Sequence, residues 1–196
     1  MNIIKTIFIL LLILVLASCR SKPPQLYVLN PLPCCQLSQH MQFSSLKIGV
    51  DPVKIPEYIQ KPQIVLHCNK NQVVLSENHE WAEGLNKNIL RVLQTNLMTL
   101  LPGATVESSP WDSKFKPDYN VKITISEYET DSNRNVFRAE YLIYQGENVI
   151  KGNVCYRNKL IKVTPINVVL NLNDNITALS REIARHFRHT PSKRRS

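Results

Sequence analysis

The chain has few glycines and lacks the loops that depend on them. Five glycines occur among 196 residues, and no two of them lie within five residues of each other. A phosphate-binding loop needs closely spaced glycines to let the backbone approach the phosphate, and a serine-nucleophile elbow needs Gly-x-Ser-x-Gly. Because both patterns are absent from the sequence, kinase, dinucleotide-binding and serine-hydrolase functions are excluded, and we predict that the protein is not an enzyme.

Metal-ligand spacings are also missing. None of the five cysteines forms a Cys-x-x-Cys pair. His186 and His189 stand among arginines, whose charge repels a cation, so we predict neither a metal site nor a cofactor. An exported chain permits disulfides, and a bridge from Cys68 to Cys155 and free buried thiols are equal alternatives. The sequence leaves the pairing of four cysteines open: Cys34, Cys35, Cys68 and Cys155.

The longest apolar run is too short to cross a membrane. Lys5 precedes the eleven apolar residues Ile7–Ala17, which as a helix would cover about half of a hydrocarbon core near 30 Å thick. The run ends in Leu-Ala-Ser-Cys, which resembles a bacterial lipobox. We therefore predict a signal peptide over residues 1–18 and an acylated Cys19 as the first mature residue. The alternative is a plain secreted protein in which Cys19 forms a disulfide.

Basic residues are concentrated at the carboxyl end. The formal net charge is +9, and residues 181–196 hold six Lys and Arg against one acidic residue, Glu182. Clustered cations can bind nucleic acid, but export places the chain in a compartment without it, so we expect no nucleic-acid partner. A solvated basic tail over residues 190–196 is the main expectation, with anionic lipid or an acidic protein as alternative partners.

Hydrophobic periodicity predicts an α+β domain over residues 46–189, in which an antiparallel β-sheet packs against two main α-helices. Four prolines make residues 19–45 a tether, with a short docking strand at Tyr27–Leu29. Apolar residues at helical spacing predict helices over 78–101 and 174–187, the second capped by Asn173 or Asp174. Alternating patterns predict strands over 46–53, 63–67, 72–75, 119–126, 136–145 and 149–156.

Several motifs resemble the ABC-type transport auxiliary lipoproteins. They are Tyr27-x-Leu29-x-Pro31, the run from Ile48 to Ile59, Pro62-Gln63-Ile64-Val65, Trp81-Ala82-Glu83-x-Leu85, Arg91-Val92-Leu93-x-x-Asn96-Leu97 and the late 179–184 segment. The resemblance implies an outer-membrane lipoprotein that faces the periplasm and has a mammalian-cell-entry-type lipid transport protein as its partner. Homo-oligomers are compatible with this function. Arg20 fits the outer membrane, because the Asp that resembles an inner-membrane retention signal is absent.

One motif suggests where a partner docks. Pro52 and Pro56 force the intervening residues to run extended, which would present Tyr58 at a sheet edge. The candidate docking residues are Val53, Ile55, Pro56, Tyr58 and Trp81. The alternative is a rigid strand exit that packs on the helix of Trp81. For the whole protein, the alternative function is a structural or assembly lipoprotein of another envelope machine, such as a secretion apparatus.

Overall fold

Two β-sheets and two long helices make up the fold. The computed structural model describes residue 5 and residues 22–33, 42–69, 71–130, 135–158, 160 and 162–188. The elements are β1 Gln25–Tyr27, β2 Lys47–Val50, a 3-10 turn Glu57–Ile59, β3 Gln63–Asn69, β4 Gln72–Trp81, α1 Leu85–Leu100, β5 Thr105–Ser108, β6 Tyr119–Thr130, β7 Asn135–Gln145, β8 Asn148–Asn158 and α2 Pro165–Arg188.

The larger sheet has the strand order β5-β2-β6-β7-β8. Strands β6, β7 and β8 form the predicted antiparallel meander, and Gly146 adopts the positive φ of 58° in the turn between β7 and β8. Strand β2 pairs parallel with both β5 and β6, so the sheet is mixed rather than wholly antiparallel. Strand β5 was not predicted, because four residues carry too little periodicity.

The smaller sheet has the order β1-β4-β3. Strands β3 and β4 form the predicted hairpin. The docking strand predicted at Tyr27–Leu29 lies earlier in the chain, as β1 over Gln25–Tyr27, and only Tyr27 is common to both. Strand β1 pairs parallel with the end of β4, where Gln25 opposes His79 and Tyr27 opposes Trp81. The amino-terminal segment is therefore part of a sheet.

The predicted start of the first helix is wrong. Residues 78–81 continue β4, and α1 begins only at Leu85. Trp81 and Leu85 are spaced as on a helix, but the backbone around Trp81 is bonded in the small sheet: its N–H donates to Pro62 O at 2.7 Å, and Ala82 N donates to Tyr27 O at 2.9 Å. Pairing with distant strands outweighs the local helical spacing.

The second helix starts earlier than predicted. It begins at Pro165, so Asn173 and Asp174 lie within the helix and do not cap it. Thr164 occupies the position before the helix, and its Oγ1 accepts from Asn167 N at 3.4 Å. Proline is favoured in the first helical position, where its missing N–H has no partner to lose.

One hydrophobic core joins the sheets and the helices. The inward residues of β6 and β7, such as Ile123 and Phe137, pack with the apolar stripes of α1 and α2 in a single cluster. On α2, Phe187 meets Tyr119 edge-on, with ring centroids 5.1 Å apart. The predicted α+β class with two main helices is confirmed.

Two cysteines lie on different sheets. Cys68 is on β3 and Cys155 is on β8, and both are exposed free thiols. The suggested Cys68–Cys155 disulfide is therefore wrong. Cys34 and Cys35 lie outside the described residues.

Alkaline pH should destabilise the fold through its buried tyrosines. Burial raises the pKa of Tyr128, whose hydroxyl donates to Val168 O at 2.6 Å, and raises the pKa of Tyr156 to about 12. Above about pH 10 the unfolded chain loses these protons first, so the free energy of unfolding falls as pH rises through the folded pKa values.

Urea unfolding across the alkaline range measures this effect. Tyr128→Phe removes the most deeply buried of these hydroxyls, so we expect its free energy of unfolding to fall less steeply with pH than that of the wild type. Measurements near neutral pH give the cost of the lost hydrogen bond to Val168 separately. Identical pH profiles for the two proteins would contradict the prediction.

Candidate functional site

The predicted docking segment runs along the larger sheet. The N–H of Lys54 donates to Ile123 O at 3.1 Å, and Ile125 N donates to Lys54 O at 2.8 Å. Val53 and Ile55 are buried in the core, whereas Pro56 and Tyr58 are half-buried. Two members of the candidate set therefore point inward.

Tyr58 connects the two sheets. Its hydroxyl donates to Tyr128 O and accepts from Tyr128 N, both at 3.1 Å, on β6. Its ring meets His67 of β3 edge-on, with centroids 5.8 Å apart. Burial is the main cause that raises the pKa of Tyr58. Trp81, the fifth candidate, is buried at the end of β4 and not on a helix, so the structure does not join it to Tyr58 in one exposed edge.

A second constellation holds the amino-terminal segment. After β1, residues 28–33 lie between α1 and α2, and side chains from both helices bind their backbone. We call these side chains the clamp: Asn88, Arg91 and Asn96 of α1, and Asn173 of α2.

Three asparagines of the clamp accept hydrogen bonds from the segment. Leu29 N donates to Asn88 Oδ1 at 3.1 Å. Asn30 N donates to Asn173 Oδ1 at 2.7 Å, and Leu32 N donates to Asn96 Oδ1 at 2.7 Å. An extended chain without a strand partner leaves its N–H groups unsatisfied, and these amides replace the missing partner.

Arg91 completes the clamp as a hydrogen-bond donor, whereas the three asparagines accept hydrogen bonds from the segment. Its Nη2 donates to Leu29 O at 3.0 Å and to Asn88 Oδ1 at 2.9 Å, while its Nε donates to Glu83 Oε1 at 3.1 Å. Bonds from a charged donor are stronger than neutral ones, so one guanidinium fixes both the segment and its asparagine neighbour. This ion pair is half-exposed.

The two helices are joined beneath the clamp. Asn96 Nδ2 donates to Ser180 Oγ at 3.1 Å, and that hydroxyl donates to Ile176 O at 2.7 Å within α2. Asn96 and Ser180 are fully buried. Because the same amide binds Leu32 and Ser180, the spacing of the helices and the position of the segment are set together.

Leu29 is the apolar anchor of the segment. Its side chain is 0% exposed within the core, whereas Leu26 of β1 is 62% exposed. Beside the clamp, Pro31, Pro33, Asp174 and Arg181 border an open cleft of about 410 Å³. The arrangement binds a peptide backbone, and its amides and guanidinium supply no nucleophile or general base for catalysis.

The described histidines are engaged in structural contacts. Tyr27 Oη and His79 Nδ1 are 2.8 Å apart, Thr130 N donates to His67 Nδ1 at 3.2 Å, and Tyr141 Oη and His186 Nε2 are 2.7 Å apart. His189 lies outside the described residues. Within the described ranges, no three His, Cys, Asp or Glu side chains come together as a metal site requires.

Sequence reasoning missed the clamp, although a signal was present. Asn88 and Asn96 fall on the apolar stripe of α1, three and eleven residues after Leu85, and both are fully buried. A buried amide needs hydrogen-bond partners, so two asparagines on a core-facing stripe indicate a polar contact. The partner could not be identified locally, because it lies far away in the sequence.

No described helix combines the length and apolarity needed to cross a bilayer. Apart from residue 5, the predicted signal peptide lies outside the described residues, as do Cys19 and the basic tail at 190–196. All three remain predictions.

The two sheets, the helix pair and the clamped segment define an α+β domain that incorporates its own amino-terminal segment. The chain belongs to the family described as the ABC-type transport auxiliary lipoprotein component, whose model matches residues 27–184. The match begins at Tyr27 and thus includes the clamped segment. This family is a transport auxiliary family and not a known enzyme family.

Two curated relatives agree with this assignment. The intermembrane transport lipoprotein PqiC of Escherichia coli (strain K12) and that of Shigella flexneri are each 31% identical over 77 residues, which cover 39% of this chain and 41% of theirs. The match thus spans about two-fifths of the length of these relatives.

Two crystal structures share the fold. An uncharacterized protein superposes with a TM-score of 0.70 at 22% identity, covering 85% of this chain and 99% of its own. Protein XCC0632 from Xanthomonas campestris superposes with a TM-score of 0.65 at 11% identity, covering 82% and 92%. At these identities the likeness establishes the fold alone.

Proposed function

We propose that the protein is the outer-membrane auxiliary lipoprotein of a mammalian-cell-entry-type ABC system for intermembrane lipid transport. Acylated Cys19 would anchor it on the periplasmic face, and the α+β domain would dock the end of the periplasmic lipid tunnel. The family assignment supports the transport role, and the names of the PqiC relatives point to transport between membranes.

The clamp is the observation that carries the proposal. Because residues 25–33 are bound by β4 and the clamp, a linker of only five residues, 20–24, separates Cys19 from Gln25. Such a linker spans at most about 20 Å. An acylated Cys19 would therefore hold the domain beside the membrane surface, as a protein that positions a tunnel end there requires.

Only part of the predicted docking edge is accessible to a partner in this proposal. Val53, Ile55 and Trp81 are buried and would support the edge from within. The surface offered to the tunnel protein would consist of half-buried Pro56 and Tyr58 with their exposed neighbours, among them Glu57.

Co-purification from native membranes tests the function. We expect a tagged full-length chain, extracted in mild detergent, to recover a mammalian-cell-entry-type protein. Glu57→Lys reverses an exposed charge at the docking edge and should reduce this recovery about tenfold, since a like-charge contact in an interface costs more than 1 kcal/mol. Glu147→Lys, an exposed charge reversal in the β7–β8 turn, is the matched control and should leave recovery unchanged.

Two outcomes would contradict the proposal. Recovery of secretion-apparatus components in place of a transport protein would favour the alternative envelope machine. If the Glu57→Lys and Glu147→Lys variants recovered equal amounts of the transport protein, the edge around Glu57 would not be the docking surface.

A further inference from the structure

An exposed apolar cluster marks the end of the β3–β4 hairpin. Val73, Val74 and Leu75 of β4 are 42%, 43% and 46% exposed, and we call these three residues the hairpin tip. Side chains alternate along a strand, so Val73 and Leu75 project from one face and Val74 from the other. The hairpin tip therefore exposes apolar surface on both faces of a two-stranded ribbon.

The register of β1 directs the amino terminus toward this tip. Strand β1 runs parallel to β4, with Gln25 opposite His79. The chain therefore approaches Gln25 from the side of the early β4 residues, where the hairpin tip lies. Pro23 and Pro24 favour an extended backbone, which keeps this direction.

The reach from Gln25 back to Cys19 is similar to the distance from His79 back to the hairpin tip. Cys19 precedes Gln25 by six residues, a reach of at most about 20 Å. Val74 precedes His79 by five residues, and the β-bulge between Leu75 and Glu80 makes their separation shorter than the roughly 17 Å of a straight strand. A membrane that holds acyl chains on Cys19 is therefore within reach of the hairpin tip.

The charges beside the tip suit a lipid surface. Between Cys68 and Ser76 the sequence contains one charged residue, Lys70, and exposed Glu77 follows. The five-residue linker 20–24 adds Arg20 and Lys22, so the cations outnumber the carboxylate three to one. Cations near an apolar cluster match anionic headgroups above acyl chains.

We propose that the hairpin tip inserts into the headgroup and upper acyl region of the leaflet that holds Cys19, as a second membrane contact. The inference rests on the proposed lipid anchor at Cys19. Two contacts fix the orientation of the domain, which a single point of attachment cannot do. Tyr58 touches His67 of the same hairpin, so the proposed docking edge would lie next to the leaflet.

Native cysteines provide matched depth probes. Cys68 adjoins the hairpin tip, and Cys155 is an exposed thiol on β8. Full-length acylated protein that retains one of these thiols, with the other and Cys34 and Cys35 replaced by Ser, is labelled with an environment-sensitive fluorophore. The labelled protein is reconstituted in vesicles of phosphatidylethanolamine and phosphatidylglycerol that carry doxyl quenchers.

We expect quenching of the Cys68 label to be at least about threefold stronger than that of the Cys155 label, as fits insertion by about 5–10 Å. Replacing the three residues of the hairpin tip by Gln should abolish the difference. The matched control, Gln at exposed Val149 and Ile150 of β8, should preserve it.

Equal quenching of both labels on acylated, vesicle-bound protein would overturn the insertion while leaving the lipid anchor intact. If the Cys68 label became more shielded from the quencher as protein density on the vesicles increased, the hairpin tip would be contacting a second copy of the chain. That result would also overturn the proposed insertion. A mature chain without acyl mass would instead refute the anchor in the proposed function. The wild-type comparison remains decisive if the Gln variant fails to fold.

Discussion

Replacing Cys19 by Ala is expected to remove the protein from the outer-membrane fraction. Each buried methylene of an acyl chain contributes about 0.8 kcal/mol of membrane affinity, so an anchor of several chains is durable and its loss is close to complete. Density-gradient fractionation with acyl labelling measures the change. Because the clamped domain lies beyond the anchor, we expect the variant to keep its folding stability.

Cys68→Ala is the matched control, since it removes an exposed free thiol elsewhere on the surface. This variant should remain acylated and in the outer-membrane fraction. An unacylated Cys19→Ala protein that still fractionates with the outer membrane would contradict the proposed anchor.

Leu29→Ala should lower the free energy of unfolding by about 2–5 kcal/mol, the usual cost of truncating a buried leucine. Leu29 is fully buried, and its backbone is bonded to Asn88 and Arg91. The variant should also loosen the neighbouring segment. Urea unfolding gives the stability, and hydrogen exchange at the amides of Asn30 and Leu32 reports on release from the clamp.

Leu26→Ala provides the comparison within the same segment. Its side chain is mostly exposed, so we expect a change within about 0.5 kcal/mol and unchanged protection of the clamped amides. If the two substitutions destabilised the protein equally, or if the Leu29 variant kept full amide protection, the segment would not be anchored as the structure indicates.

Local patterns predicted the elements whose signal lies within a few residues. In β6, buried Val121, Ile123 and Ile125 alternate with exposed residues, and this pattern alone identified the strand and its core face. The hairpin β3–β4 and the meander turn at Gly146 were predicted in the same way. Their strands are neighbours in sequence, so pairing needs no distant information.

The predictions from sequence were wrong at the starts of both helices and did not include the parallel pairing of β2. Trp81 and Leu85 fit a helical spacing, yet β1 pairs with residues 79–81 and keeps them in a strand. For α2, the start signal is Thr164-Pro165, which lies nine residues before the predicted caps Asn173 and Asp174. The parallel pairing of β2 with β5 and β6 has no local signature, because it depends on crossover connections.

The amino-acid sequence by itself determined the α+β class, the two helices with their apolar stripes, and the motifs of the transport auxiliary family. Only the tertiary structure decided that the proline-rich segment after Tyr27 is bound by the clamp, and that Val53, Ile55 and Trp81 face the core. The physical reason is the range of the interactions. Periodic burial is encoded within each element, whereas hydrogen bonds from the backbone of residues 29–32 to asparagines on two distant helices exist only when the whole chain is folded.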